Sequence, residues 1–210
     1  MITINSILEV QDYIDDYEGI IFDLDDTLYG EKQYVRSGYK EVASVIPQVD
    51  RAYDKLYEAF LRHENAIDVV LASAGIDSEE VKALCLKKYR YQKPDINLYE
   101  GVDDLLAAIR EARKKIGIIT DGRPEGQRAK IKALGLEKMV DHIIITDELG
   151  GIDFRKPCPV AFKKMHEIMG VPYEKLVYIG DNMHKDFIAP RELGMGAIHF
   201  KNVDGLYYSK

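Results

Sequence analysis

Short runs of consecutive apolar residues alternate along this chain with stretches whose apolar positions recur every three or four residues. The runs are Ile20-Ile21-Phe22, Ile116-Gly117-Ile118-Ile119, Ile143-Ile144-Ile145 and Leu176-Val177-Tyr178-Ile179, with Ala197-Ile198-His199-Phe200 a weaker fifth. Runs this short without polar alternation read as strands buried on both faces, as in a parallel sheet. Between them, Val102, Leu105, Leu106 and Ile109 fall at the spacing of one buried helical stripe. Ala161, Met165, Ile168 and Met169 repeat it, with Gly170 placed to end that helix. Pro124 suits the first turn of a further helix that runs to Leu134 and stops at Gly135. Near the start, Ser6 and Glu9 make a capping-box pair that opens a short helix at Ile7. Strand and helix in alternation predict an α/β fold, an open parallel sheet with helices on both faces. Ligands of such sheets bind beyond the carboxyl ends of the strands.

The interval from Tyr29 to Pro94 breaks the rhythm. It holds no strand-like run, whereas Val35, Tyr39, Val42, Ala43 and Ile46 keep helical spacing, as do Tyr53, Leu56, Tyr57 and Phe60. Val69 to Leu71 before Gly75, and Val81, Leu84 and Leu86 before Tyr89, predict two more helices. The expected organisation is a core domain of residues 1–28 and 95–210 carrying a helical cap of residues 29–94. Tyrosines at helical spacing there read as cap core. Tyr29, Lys32, Gln33 and Arg36 directly follow the first strand's loop and are candidates for reaching a substrate.

Charge narrows the partners. The chain has 29 Lys and Arg against 36 Asp and Glu, a formal −7, which argues against a generic grip on nucleic acid. The insert has 11 basic and 10 acidic residues, giving +1, and the rest has 18 and 26, giving −8. The acidity therefore belongs to the sheet-forming part. No apolar run nears the roughly 18 residues that span a bilayer, so no membrane partner is expected. The first residues are acidic and lack the basic-then-apolar order of a secretory signal. Cys85 and Cys158 lie far apart, outside any metal-ligand spacing, and read as reduced thiols of a cytoplasmic protein.

The acids cluster where strands are expected to end. Asp23 and Asp25, two apart in Asp23-Leu24-Asp25-Asp26-Thr27, point to one side of an extended backbone. Two carboxylates so close repel unless a cation sits between them or one is protonated. An oxygen-liganded cation that pairs carboxylates with phosphate oxygens would be Mg²⁺. Gly180-Asp181 through Asp186 supplies two more carboxylates after another strand, and Thr120 and Lys156 stand between. A hydroxyl, an ammonium and four carboxylates suit phosphoryl transfer. Asp26 reads as capping the next turn, Thr27 as orienting the loop, and His184 as a solvent-facing residue.

These pieces, Asp23–Thr27, Ile119–Gly122, Arg155–Pro157 and Gly180–Asp186 in that order, resemble the haloacid dehalogenase superfamily, in its phosphatase-type branch with a helical cap. The resemblance covers essentially the whole chain and implies a Rossmann-like core. It implies Asp23 as the nucleophile that becomes an aspartyl-phosphate, and Asp25 as the acid that protonates the leaving alcohol and then the base for water. It implies Mg²⁺ held by Asp23, the Asp25 carbonyl, Asp181 and Asp186. Thr120, Asp121, Gly122 and Lys156 would form the phosphate seat, and the cap would close over the site to exclude water. Many capped relatives have Asn where Asp121 stands; an ionised Asp only accepts, so Asp121 is expected to meet a substrate hydroxyl or ammonium group, or a neighbouring basic residue such as Arg123. The implied activity is hydrolysis of a small phosphorylated metabolite such as a sugar phosphate or nucleotide. A phosphomutase shares every motif, and a non-catalytic phospho-receiver is the rival of another class; the DxDxT spacing and the long helical insert oppose the latter.

Overall fold

The computed structural model describes residues 1–206 and 208. Six parallel strands form one sheet in the order β1-β6-β5-β2-β3-β4. They are β1 (Ile2–Ile4), β2 (Gly19–Phe22), β3 (Lys115–Thr120), β4 (His142–Ile145), β5 (Leu176–Gly180) and β6 (Gly196–Phe200). Every residue of β2 and of β5 is buried, as expected of inner strands with helices on both faces. Phe22 pairs with Ile118 on one side and Ile179 on the other, so β2, β3 and β5 bring their carboxyl ends to one edge. Asp23, Asp121 and Asp181 sit immediately beyond those ends.

The helices that the spacing predicts are present. On one face of the sheet, α7 (Val160–Met169) packs Ala161, Phe162, Met165 and Met169 against Ile21, Ile119 and Tyr178. Ile168, expected in that stripe, is instead exposed, and Phe162 takes its place in the core. Gly117 of β3 makes room here, since an added Cβ would lie 2.7 Å from the Met169 methyl. α5 (Val102–Glu111) buries Val102, Leu105, Leu106 and Ile109 and packs on β3 and on the 3-10 turn Ile7–Tyr13. That turn carries the full Ser6–Glu9 capping box. α6 (Pro124–Ala133) opens at Pro124, and α8 (Ile188–Glu192) precedes β6. β1 was not anticipated. Its three residues are too few for a pattern, and it forms only by pairing with β6.

The chain divides into two compact units, Met1–Glu31 with Asn97–Lys210, and Lys32–Ile96. Four helices make up the 31–90 region: α1 (Glu31–Ala43), α2 (Ala52–Leu61), α3 (Ala66–Ser73) and α4 (Glu79–Arg90). The second unit has its own core of Val35, Val42, Ile46, Leu56, Val70, Leu71 and Cys85. Tyr39 and Tyr89 pack within it at 5.5 Å between ring centroids, and the Arg36 guanidinium lies 4.9 Å over the Tyr57 ring. Lys32, Gln33 and Arg36 belong to this unit. Tyr29 does not, although the sequence reading assigned it to the cap. Its ring is fully buried in the first unit, where its hydroxyl finds a carboxylate.

Candidate active site

β2 delivers Asp23 by continuing its own ladder, since the Asp23 amide still donates to the Ile179 carbonyl at 2.8 Å. The next turn closes when Leu28 N–H donates to the Leu24 carbonyl at 3.0 Å. Asp26 fixes the loop at φ +54°, accepting from the Glu31 amide at 2.8 Å and from the Leu206 amide at 2.7 Å. It is the structural residue the sequence suggested. The Thr27 hydroxyl, expected to orient the loop, is buried without a hydrogen-bond partner among the described residues.

Asp23, Asp181 and Asp186 each place a carboxylate oxygen within 4.8 Å of the others. Gly180 permits this approach, since a Cβ there would sit 2.4 Å from Asp186 Oδ2. Asp186 is anchored when its Oδ2 accepts from the Asn182 amide at 2.9 Å. The fully buried Lys156 ammonium stands 2.8 Å from Asp23 Oδ1 and 2.9 Å from Asp186 Oδ1, and donates to the Tyr178 hydroxyl at 2.8 Å. One ammonium does not balance three carboxylates. Burial, with Asp186 adding to it against Lys156, raises the Asp23 carboxyl to about 7. Burial together with Asp23 and Asp186 raises Asp181 to about 8. Asp186 Oδ1 is buried with no donor in hydrogen-bond geometry, Lys156 notwithstanding. Crowded oxygens, two of them driven toward the protonated form, are a donor set that fits a small hard divalent cation.

Asp25 has a different environment. Its Oδ1 accepts from the Tyr29 hydroxyl and from Lys130 Nζ, the latter at 2.6 Å, and its Oδ2 accepts from Gln127 Nε2 at 2.8 Å. Burial opposes its charge, yet Lys130, Tyr29 and Gln127 outweigh that and hold the carboxyl below its ordinary value. Asp23 is thus pushed up and Asp25 down.

A cavity of about 420 Å³ opens at this edge of the sheet, lined by Asp23, Asp25, Glu31, Asp121, Lys130 and Lys156 among others. Gly122, Gln127, Arg155, Asp181, Asn182 and Lys185 complete the lining. Thr120 is not part of it. It is fully buried and its hydroxyl accepts from Gln127 Nε2 at 2.5 Å. Asp121 meets a neighbouring basic residue, one of the contacts expected of it. Its Oδ1 accepts from the Thr146 hydroxyl at 3.0 Å and the Lys156 amide at 3.1 Å, and its Oδ2 from Lys185 Nζ at 2.8 Å. Through these bonds Asp121 braces Lys156 and Lys185 while lining the cavity. Its basic partner is Lys185, not Arg123, which is an exposed residue at the start of α6. Asp147 holds the cavity residue Arg155 through two bonds of 2.7 and 2.8 Å. His184 is exposed, as read from the sequence.

Several cavity residues escaped the sequence reading. Gln127 and Lys130 are three apart on α6 and both buried, beside Ile131. Two polar residues on an otherwise apolar helical stripe were the available signal. Glu31 has a carboxylate without a hydrogen bond or ion pair among the described residues. Burial, with Asp25 and Asp26 nearby and against Lys130, raises it to about 8. No helix among the described residues is long and apolar enough to cross a membrane.

The family profile described as "Haloacid dehalogenase-like hydrolase" matches residues 20–200. Two similar proteins are glyceraldehyde 3-phosphate phosphatases. The one from Methanopyrus kandleri is 27% identical over 88% of this chain and 84% of its own length. That from Methanocaldococcus jannaschii is 29% identical over 85% and 82%. Among solved structures, a predicted phosphoglycolate phosphatase from Haemophilus somnus superimposes with a TM-score of 0.64 at 16% identity, over 90% of this chain and 87% of that one.

Proposed function

The chain belongs to the haloacid dehalogenase-like hydrolases and is an enzyme of their phosphatase type, and we propose that it is a Mg²⁺-dependent phosphatase that hydrolyses a small phosphate monoester through an aspartyl-phosphate at Asp23. The observation that carries this reading is the buried Lys156 ammonium between Asp23 and Asp186, at the mouth of the strand that also presents Asp25.

An Asp23 carboxylate oxygen attacks phosphorus, the bond to the ester oxygen breaks, and the alcohol leaves with a proton supplied through Asp25. Water then attacks the aspartyl-phosphate, gives its proton to Asp25, and releases inorganic phosphate with Asp23 restored. Asp25 as found here, ionised under three donors, is in the state the second step requires. Lys156, held to its place by Tyr178 and through its amide by Asp121, lies where it would neutralise oxygens of the transferring group. Asp23, Asp181 and Asp186 would hold the cation, whose charge offsets theirs and that of the phosphoryl oxygens.

A cavity of about 420 Å³ suits a metabolite of a few carbons, and two relatives are named for glyceraldehyde 3-phosphate. We therefore place three-carbon and sugar phosphates first among substrates. Glu31, the unpartnered carboxylate in the cavity lining, is the residue suited to accept from their hydroxyls. The test is phosphate release across a panel of small phosphate esters, with Mg²⁺ and with EDTA. Release from glyceraldehyde 3-phosphate or a neighbour of it, abolished by EDTA, is the expected result. Release that survives EDTA would overturn the metal assignment, and no release from any ester would overturn the activity.

A further inference from the structure

Phosphoryl transfer of this kind needs a carboxylate that meets the ester oxygen in the first step and the water in the second, in the same place both times. A side chain on a loop beyond a strand end does not stay in one orientation unless something holds it. Asp25 is held by three donors from two directions. Tyr29 and Lys130 take one oxygen, and Gln127 takes the other at 2.8 Å. The Gln127 amide nitrogen also donates to Thr120 Oγ1 at 2.5 Å, so one side chain links the carboxylate after β2 to the hydroxyl that ends β3. Lys130, on the same face of α6 one turn on, is only 5% exposed at its side chain.

A fold has no need of such an arrangement for stability. Burying an ammonium and a carboxylate together costs solvation that their attraction scarcely returns, and an apolar residue on this stripe of α6 would pack at no such cost. Ile131 beside it does so. The pair is therefore explained by what it does to Asp25.

We infer that Gln127 and Lys130 of α6 are positioning residues that lock the Asp25 carboxylate in the orientation from which it serves both proton-transfer steps. Neither carries the proton in this account; each acts through Asp25. The inference rests on the reading of Asp23 and Asp25 given above, and it adds to that reading a pair of residues from a helix outside the recognised motifs.

The consequence is specific to the step Asp25 serves. Losing the lock leaves the Asp23–Lys156 pair and the acidic triad in place, so kcat falls while KM is nearly kept. The loss is greater for an alkyl alcohol, which calls on Asp25 in both steps, than for a nitrophenolate, which leaves without a proton and calls on Asp25 only in the water step. The experiment compares parent, Lys130→Met, Lys130→Arg, Gln127→Leu and Asp25→Asn, each checked by thermal melting, on an alkyl phosphate and on p-nitrophenyl phosphate with Mg²⁺. Lys130→Met is expected to lose about 10- to 100-fold in kcat on the alkyl ester, within the range that a positioned acid or base contributes, and to lose less on the aryl ester, for which Asp25 serves only the water step. Lys130→Arg should recover part of the loss, and Gln127→Leu should follow Lys130→Met. Placed on Asp25→Asn, Lys130→Met should add nothing, since the residue it positions is already disabled.

A KM rise at constant kcat would overturn the inference by making Lys130 a substrate ligand. A larger loss on the aryl ester than on the alkyl ester, or a full further loss on Asp25→Asn, would overturn it by showing a role independent of Asp25. If Lys130→Met melts early, Lys130→Arg and Gln127→Leu carry the same comparison. A parent that releases no phosphate, or an Asp23→Asn variant that releases it normally, defeats the underlying reading instead, so the two failures are distinguishable.

Discussion

Stripped of divalent cations, this protein should lose stability as pH rises from 5 to 7. The cause is the crowding of Asp23 and Asp181, whose carboxyls burial and mutual repulsion raise to about 7 and about 8 in the folded chain. An unfolded Asp releases its proton near 4, so between pH 4 and 7 the folded form holds protons that the unfolded form has lost. The stability these two groups contribute is then greatest below that range and declines as pH climbs through the folded values. Each retained proton sets a slope of about 1.4 kcal/mol per pH unit, so two of them, discounted for the partial exposure of Asp181, give about 3–4 kcal/mol between pH 5 and 7. For a chain of this size that corresponds to roughly 10 °C in Tm. Glu31, raised to about 8, adds to the same slope with or without a cation, while His199, lowered by burial, opposes it. A saturating divalent cation should remove the part due to Asp23 and Asp181, because it takes the place of their protons. The assay is thermal melting at half-unit steps of pH, with EDTA and with Mg²⁺. A metal-free Tm that is flat or rising between pH 5 and 7, or the same slope in both series, would refute the reasoning.

Two further predictions concern the frame of the site. Phe162→Ala empties a fully buried position between α7 and the sheet, and should cost about 3–5 kcal/mol in chemical denaturation with the KM of surviving enzyme nearly unchanged. Asp121→Asn keeps an acceptor for Thr146 and the Lys156 amide but loses the charge facing Lys185. It should lower stability by about 1 kcal/mol and reduce kcat more than it alters the choice among substrates. A switch in substrate preference would return Asp121 to direct substrate contact.

The strands that lie in the middle of the sheet were legible because burial on both faces leaves no polar alternation, as in Ile20-Ile21-Phe22. β1 was not legible, since three residues carry no period and their strand exists only through β6. Helices followed from spacing, but spacing misjudged Ile168, where the larger Phe162 occupies the core. In the site, Asp23, Asp25, Lys156, Asp181 and Asp186 were recognisable because each adjoins a strand end or a motif of fixed order. Asp121 was recognised, and a basic neighbour was among its expected contacts; that this neighbour is Lys185, with Thr146 and the Lys156 amide beside it, comes from tertiary structure. Gln127, Lys130 and Glu31 come to the cavity through tertiary structure, and only the two polar residues on the buried stripe of α6 left a trace in the sequence.

The central claim is that Asp23 carries the phosphoryl group between substrate and water. Its most direct test is acid-quenched mass mapping of the enzyme during turnover of a substrate found in the ester panel, with phosphate release followed in parallel for Asp23→Asn. The account predicts a phosphorylated peptide containing Asp23 that disappears when substrate is exhausted, and no release by a folded Asp23→Asn protein. Phosphate released at the parent rate by Asp23→Asn, or a phosphoryl group found on another residue, would contradict it.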